Sequence, residues 1–155
     1  MEDFEGAIEH YSRAIDPKDA GAHYNLGVLL ENHKEDYDGA EQHYRRAIAI
    51  DPKNGRAHNN LGVLLQNHKE DFDGAEQHYR RAIAIDPENG HAHYNLGLLL
   101  ENHKEDYGGA EQHYRRAIAI DPEYAYAHCN LYILLEKREA DYHSAAGQPR
   151  PSWCL

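Results

Sequence analysis

Four asparagines are the residues whose type and spacing first point to chemistry. Asn25, Asn60, Asn95 and Asn130 follow one another at 35-residue intervals. A carboxamide offers both a donor and an acceptor. A row of them at a fixed interval can therefore hold the backbone of an extended peptide without reading its sequence. The plainer alternative is that each amide bonds to water or neighbouring backbone inside a recurrent Asn-Leu-Gly phrase.

Histidines recur in register too, 13 of them in the chain. One row is His23, His58, His93 and His128; a second is His33, His68 and His103; a third is His10, His43, His78 and His113. A zinc ion needs about four convergent ligands at close range, and equivalent places one repeat apart are too distant to share one. His91 and His93 are neighbours, but two residues apart on a helix puts them on nearly opposite faces. No metal is expected. The histidines read as part-buried or surface groups whose protonation, at about pH 6, would offset acidic charge. Arg45-Arg46, Arg80-Arg81 and Arg115-Arg116 each follow a glutamate (Glu41, Glu76, Glu111) at helical ion-pair spacing, which reads as a solvated outer face.

Nothing has catalytic form. The glycines sit at repeat places and make no phosphate loop. Ser12, Ser144 and Ser152 lie in no nucleophile elbow, and Cys129 occurs in a single unit without an activating neighbour. Neither enzymatic activity nor a cofactor is expected. The net charge of −11 disfavours nucleic acid and anionic membrane as partners. No apolar run is long enough to span a bilayer, and the start at Met1-Glu2-Asp3-Phe4 is unlike a signal peptide. Cys129 and Cys154 form no disulfide framework, which fits a reducing cytoplasmic or nuclear setting.

The elements that must position these residues follow from the repeat. Asp-Pro recurs at Asp16, Asp51, Asp86 and Asp121, and the phrase Glu-Gln-His-Tyr-Arg-Arg-Ala-Ile-Ala-Ile-Asp-Pro stands at 41–52, 76–87 and 111–122. Such a period means stacked supersecondary units, none able to bury its apolar face alone. Each unit reads as two helices. Ala22, Leu26, Leu29 and Leu30 give the first an apolar stripe; Ala40, Tyr44, Ala47 and Ile48 give one to the second. Asp19, Asn54 and Asn89 are the expected caps of the first helices, and Asp36, Asp71 and Asp106 of the second. Asp-Pro ends each unit, because proline cannot continue a helix.

Leu61-Gly62, Ala75, Tyr79, Ala82 and Pro87, with their counterparts in neighbouring units, resemble the tetratricopeptide repeat family. The resemblance covers roughly residues 1–146 and is closest to the array of O-GlcNAc transferase-like proteins. It implies an all-α superhelix, a solenoid of antiparallel helical hairpins. The expected organisation is a partial repeat at 1–17 (second helix only), repeats at 18–52, 53–87 and 88–122, a partial repeat at 123–147 and a disordered tail at 148–155. The family's usual period is about 34 residues; the extra residue here falls in the turn near Asn32-His33-Lys34-Glu35. Tyr79 is expected to fill space between successive hairpins. Tyr132, in the place of Gly27, Gly62 and Gly97, would block close approach of a helix. In the last unit a first helix is expected from Ala125 to about Arg138, with a second beginning at Asp141-Tyr142.

The resemblance further implies that first helices line a concave groove. Asn25, Asn60, Asn95 and Asn130 would there hold peptide backbone, while Tyr24, Tyr94, Arg56, His91, Glu31 and Glu101 select side chains. The expected function is a protein–protein interaction scaffold binding an extended or helical segment with basic and apolar residues. Two alternatives stand beside it: a substrate-recruiting segment of a larger glycosyltransferase-like enzyme, and a fragment that self-associates through uncapped ends. The family's clamp for acidic chaperone tails would fall on Tyr24, Val28, Asn60, His91 and Asn95, and only Asn60 agrees, so that mode is not expected.

Overall fold

The computed structural model describes Gly6 and residues 16–145, with Lys34 and residues 141–145 as backbone alone. The expected partial repeat at the start and the tail at 148–155 lie almost wholly outside the described residues.

Among those residues there are seven helices and no strand. They are α1 (Ala20–Leu29, prolonged by a π-helical turn Leu30–Lys34), α2 (Tyr37–Ile50), α3 (Gly55–His68), α4 (Phe72–Ile85), α5 (Gly90–His103), α6 (Tyr107–Ile120) and α7 (Ala125–Ala145). Packing is most extensive within the pairs α1/α2, α3/α4 and α5/α6, then between consecutive pairs, and α3 also touches α5. This serial stacking is the all-α solenoid that the repeat implies.

Local chemistry sets the boundaries. Asp19, Asn54 and Asn89 accept from the backbone N–H of Ala22, Ala57 and Ala92 at 3.0 Å. Asp36, Asp71 and Asp106 accept from Gly39, Gly74 and Gly109 at 2.9 Å. Each such cap satisfies a donor the helix leaves orphaned. In the second set the capped residue is glycine: a Cβ on Gly39 would lie 2.4 Å from the capping Asp36 Oδ2, and one on Gly109 2.4 Å from Asp106 Oδ2, so a side chain there would require the carboxylate to turn. The residue before each of these caps is left-handed, with φ of 52° at Glu35, 53° at Glu70 and 53° at Glu105. That is where the extra residue of each unit is accommodated. The Asp36, Asp71 and Asp106 N–H groups then bond back to Leu30, Leu65 and Leu100 carbonyls at 2.9–3.1 Å, closing the first helix as a Schellman-like stop.

The core is one column of leucine, alanine and tyrosine. Tyr44, Tyr79 and Tyr114 are at most 1% exposed. The ring of Tyr79 lies over Gly62 of its own hairpin, where a Cβ would come within 2.7 Å of Cε1. Glycine thus clears room for the ring inside the hairpin, while the equivalent hydroxyls of Tyr44 and Tyr114 also reach Asn60 and Asn130 of the following unit.

The last unit departs from the sequence reading. A second helix was expected from Asp141, but α7 continues unbroken to Ala145. Ala140 and Ser144 stand where the other turns have a left-handed glutamate and the glycine at the cap. Ala140 replaces the residue that turns left-handed in the other units, and alanine favours helix. Tyr132 is accordingly 65% exposed.

Candidate functional site

One cleft of about 680 Å³ runs across α1, α3 and α5. It is lined by Tyr24, Arg56, Asn59, Asn60, His91 and Asn95, and by Lys53, Asp86, Glu88 and Asn89 from the turns between hairpins. Tyr24, Arg56, His91, Asn60 and Asn95, all singled out from the sequence, therefore share a single depression. The leading helices present these positions to one side because each is held by the same pair of contacts, a buried leucine row beneath and a capped first turn beside it.

The amide row has internal partners. Asn60 Nδ2 lies 3.4 Å from the Tyr24 hydroxyl, Asn95 Nδ2 donates to Asn59 Oδ1 at 3.1 Å, and Asn130 Nδ2 donates to the Tyr94 hydroxyl at 3.1 Å. Each bond reaches back to the preceding unit. Asn59 Nδ2 in turn donates to Asn60 Oδ1 at 3.3 Å. One N–H of each of these three amides is thus engaged, which fixes its orientation. A carboxamide has a second N–H and acceptor capacity, but in Asn60 the Oδ1 already accepts from Asn59 and the amide also reaches the Tyr44 hydroxyl, as Asn130 reaches that of Tyr114; all three side chains are half-buried. Asn25 is exposed on α1.

Arg56 is exposed beside this row and Lys53 borders the cleft in the turn. Asp86 Oδ1 accepts from the Glu88 N–H at 3.0 Å. The depression therefore mixes two cations with two carboxylates.

Glu31 and Glu101 lie elsewhere. Each accepts from a core tyrosine: Tyr44 to Glu31 Oε2 at 2.6 Å and Tyr114 to Glu101 Oε2 at 2.8 Å, with Tyr79 to Gln66 Oε1 at 3.0 Å in the middle hairpin. Burial, reinforced in the outer two by the carboxylate, pushes all three phenols above their ordinary range, so they remain donors. Glu101 also meets Lys137 Nζ at 3.6 Å and lines a second cavity of about 430 Å³ with Leu134 and Arg138. These contacts give the two glutamates a structural task whatever else they do.

Sequence reasoning missed the pairing of histidines within hairpins. Nδ1 of His23 and His43, of His58 and His78, and of His93 and His113 lie 2.9, 3.0 and 2.9 Å apart. Two nitrogens at that distance share one proton. Burial pushes His78 and His113 down to about 4, with the paired imidazole and Arg45 or Arg80 adding to the effect. His43, His58 and His93 are lowered chiefly by burial as well. No group of three metal-ligating side chains occurs among the described residues. His68 and His103 instead stack on Tyr37 and Phe72 of the preceding unit, with ring centroids 3.6 and 3.8 Å apart. The expected outer ion pairs are present: Arg45, Arg80 and Arg115 each meet their glutamate at 2.9 Å.

Three hairpins stacked in series, with a cleft across their leading helices, define an α-solenoid. TPR repeat models match residues 1–34 and 31–69, and a tetratricopeptide repeat model matches 68–125; the chain belongs to the tetratricopeptide repeat family. Among solved structures it is similar to MamA, with a TM-score of 0.79 and 24% identity over 88% of this chain and 80% of that one. The first TPR of Spaghetti (RPAP3), bound to an HSP90 peptide, gives a TM-score of 0.73 at 19% identity, covering 81% of this chain and 97% of that one. A Thermobaculum terrenum O-GlcNAc transferase mutant gives 0.67 at 28% identity, covering 75% of this chain and 22% of that far longer one. No curated protein matches. Among the described residues no helix is long and apolar enough to cross a membrane.

Proposed function

We propose that the chain is a non-enzymatic protein-interaction scaffold that holds an extended segment of a partner along the cleft crossing α1, α3 and α5. The observation that carries this reading is the convergence of Asn60 and Asn95, oriented by their bonds to the preceding unit, on a cleft bordered by Tyr24, Arg56 and His91. Pre-oriented amides can bond a peptide backbone with little further ordering cost. Arg56, His91 and Tyr24 would then read side chains. The similar first TPR of Spaghetti (RPAP3) holds a peptide, so a fold of this kind can bind one, although the clamp for acidic chaperone tails is not retained here.

The test is selection of peptides from a displayed random library on the whole chain, followed by calorimetric titration of the best binder. Asn60→Ala with Asn95→Ala should weaken binding roughly ten-fold or more, the loss of two hydrogen bonds at about 1 kcal/mol each. Circular dichroism would verify that the helices persist. An unchanged affinity in the folded double variant removes the backbone-holding role.

The likeness to an O-GlcNAc transferase favours a second reading, in which this array recruits substrates for a catalytic domain on the same polypeptide. Mass spectrometry of the protein purified from its source would reveal such a domain; its absence there would eliminate this reading.

A further inference from the structure

The recognition side continues past the cleft, and its next stretch is aromatic. At the start of α7 two positions break the repeat. Tyr124 stands where other leading helices have the caps Asp19, Asn54 and Asn89, and Tyr126 stands where they have Gly21, Arg56 and His91. With Tyr94 of α5 these rings form a cluster. Tyr94 and Tyr124 have centroids 5.0 Å apart at 48°, Tyr124 and Tyr126 6.5 Å apart at 90°, and Tyr94 and Tyr126 6.5 Å apart at 45°. His91 stands edge-on to Tyr124 at 5.3 Å.

Three features make this more than surface aromatic area. None of the three pairs is a parallel stack: the ring planes meet at 45–90°, so each ring is covered on part of its surface only. Two hydroxyls already have partners: Tyr94 accepts from Asn130, and Tyr124 shares a hydrogen bond with His91 Nδ1 at 3.1 Å. Tyr94 and Tyr124 are half-buried and Tyr126 is 71% exposed, so the open ring surface of the cluster is chiefly that of Tyr126. The surroundings are acidic. Asp121 and Glu123 lie in the turn leading into Tyr124, Glu101 acts on Tyr94, and the chain carries −11 overall. Tyr124 is pushed up to about 12, chiefly by burial, so the phenol stays neutral. Electron-rich ring faces amid carboxylates attract cations and give no comparable preference for neutral groups.

We propose that Tyr94, Tyr124 and Tyr126, flanked by His91, form an aromatic cage for a cationic side chain of the partner, an arginine or a lysine. The inference deepens the groove reading and rests on it for its biological occasion: a segment lying against Asn60 and Asn95 would deliver that side chain one unit further along.

The test needs no partner peptide. The full chain with 13C-labelled tyrosine rings is titrated with tetramethylammonium and with its neutral isostere neopentane carried as neopentyl alcohol, then with N-acetyl-arginine amide and N-acetyl-citrulline amide. The cations should shift the Tyr94, Tyr124 and Tyr126 ring signals saturably and bind roughly five-fold tighter than the neutral analogues. Tyr126→Ala, at an exposed position, should abolish the shifts while the other tyrosine signals stay in place. Equal affinity of charged and neutral probes, no saturable shift, or full binding by Tyr126→Ala overturns the cage. Such a failure leaves the groove reading intact, since that reading is judged by peptide affinity of the asparagine variant.

Discussion

At the scale of single residues, most positions in this chain answer to sterics before chemistry. Gly62 exists to admit the ring of Tyr79, and a Cβ there would sit 2.7 Å from Cε1. Gly62→Ala should therefore lower stability by about 1–3 kcal/mol, the cost of overpacking a core, read as a fall in the urea midpoint with unchanged slope. Glu70 is the opposite case. It holds φ at 53°, a conformation that penalises a β-carbon by roughly 1–2 kcal/mol. Glu70→Gly should raise stability by about 1 kcal/mol, less the gain in unfolded-chain entropy, and so raise the urea midpoint; a lower midpoint would show that the glutamate side chain holds the turn. The sequence displayed both kinds of position as repeated letters. It did not display the bond from Tyr79 to Gln66, because a contact across 13 residues depends on hairpin register, which only three-dimensional packing decides.

At the scale of helices and hairpins, the paired histidines are the feature with measurable consequences. His78 and His113 titrate at about 4 in the fold, against 6.5 for an unhindered imidazole. Between those values the unfolded chain binds more protons than the native one. Stability from these groups is complete above about pH 6.5 and is lost as the pH falls toward 4. Thermal midpoints should drop across that window, and drop less steeply in His78→Gln/His113→Gln, since carboxylates titrate in both proteins alike. Parallel profiles would remove the histidine pairs from the pH response. The sequence pointed to a pH effect by bulk charge; the actual cause is burial, visible only once two helices are set face to face. The same limit explains α7. A second helix was expected from Asp141, but Ala140 stands where the other units turn left-handed, and α7 runs on to Ala145.

At the scale of the whole molecule, regularity and function separate. The identical letters build the stack, as in the ion pairs, the caps and the tyrosine column, and these were legible from periodicity alone. The proposed binding side is made by the letters that change from unit to unit: Tyr24, Asn59 and Tyr94 in one row, Arg56, His91 and Tyr126 in another. Their shared side followed from the register, yet the turn residues Lys53, Asp86 and Glu88 that border the cleft did not, since inter-hairpin turns are brought to it only by stacking. The central claim is that a partner lies on this side and not on the arginine-bearing helices α2, α4 and α6. Its most direct measurement is a map of backbone amide chemical-shift changes on the full chain, titrated with the best selected peptide. The expected map centres on Arg56, Asn60, His91 and Asn95. Changes centred on Arg45, Arg80 and Arg115, with the cleft residues silent, would contradict it.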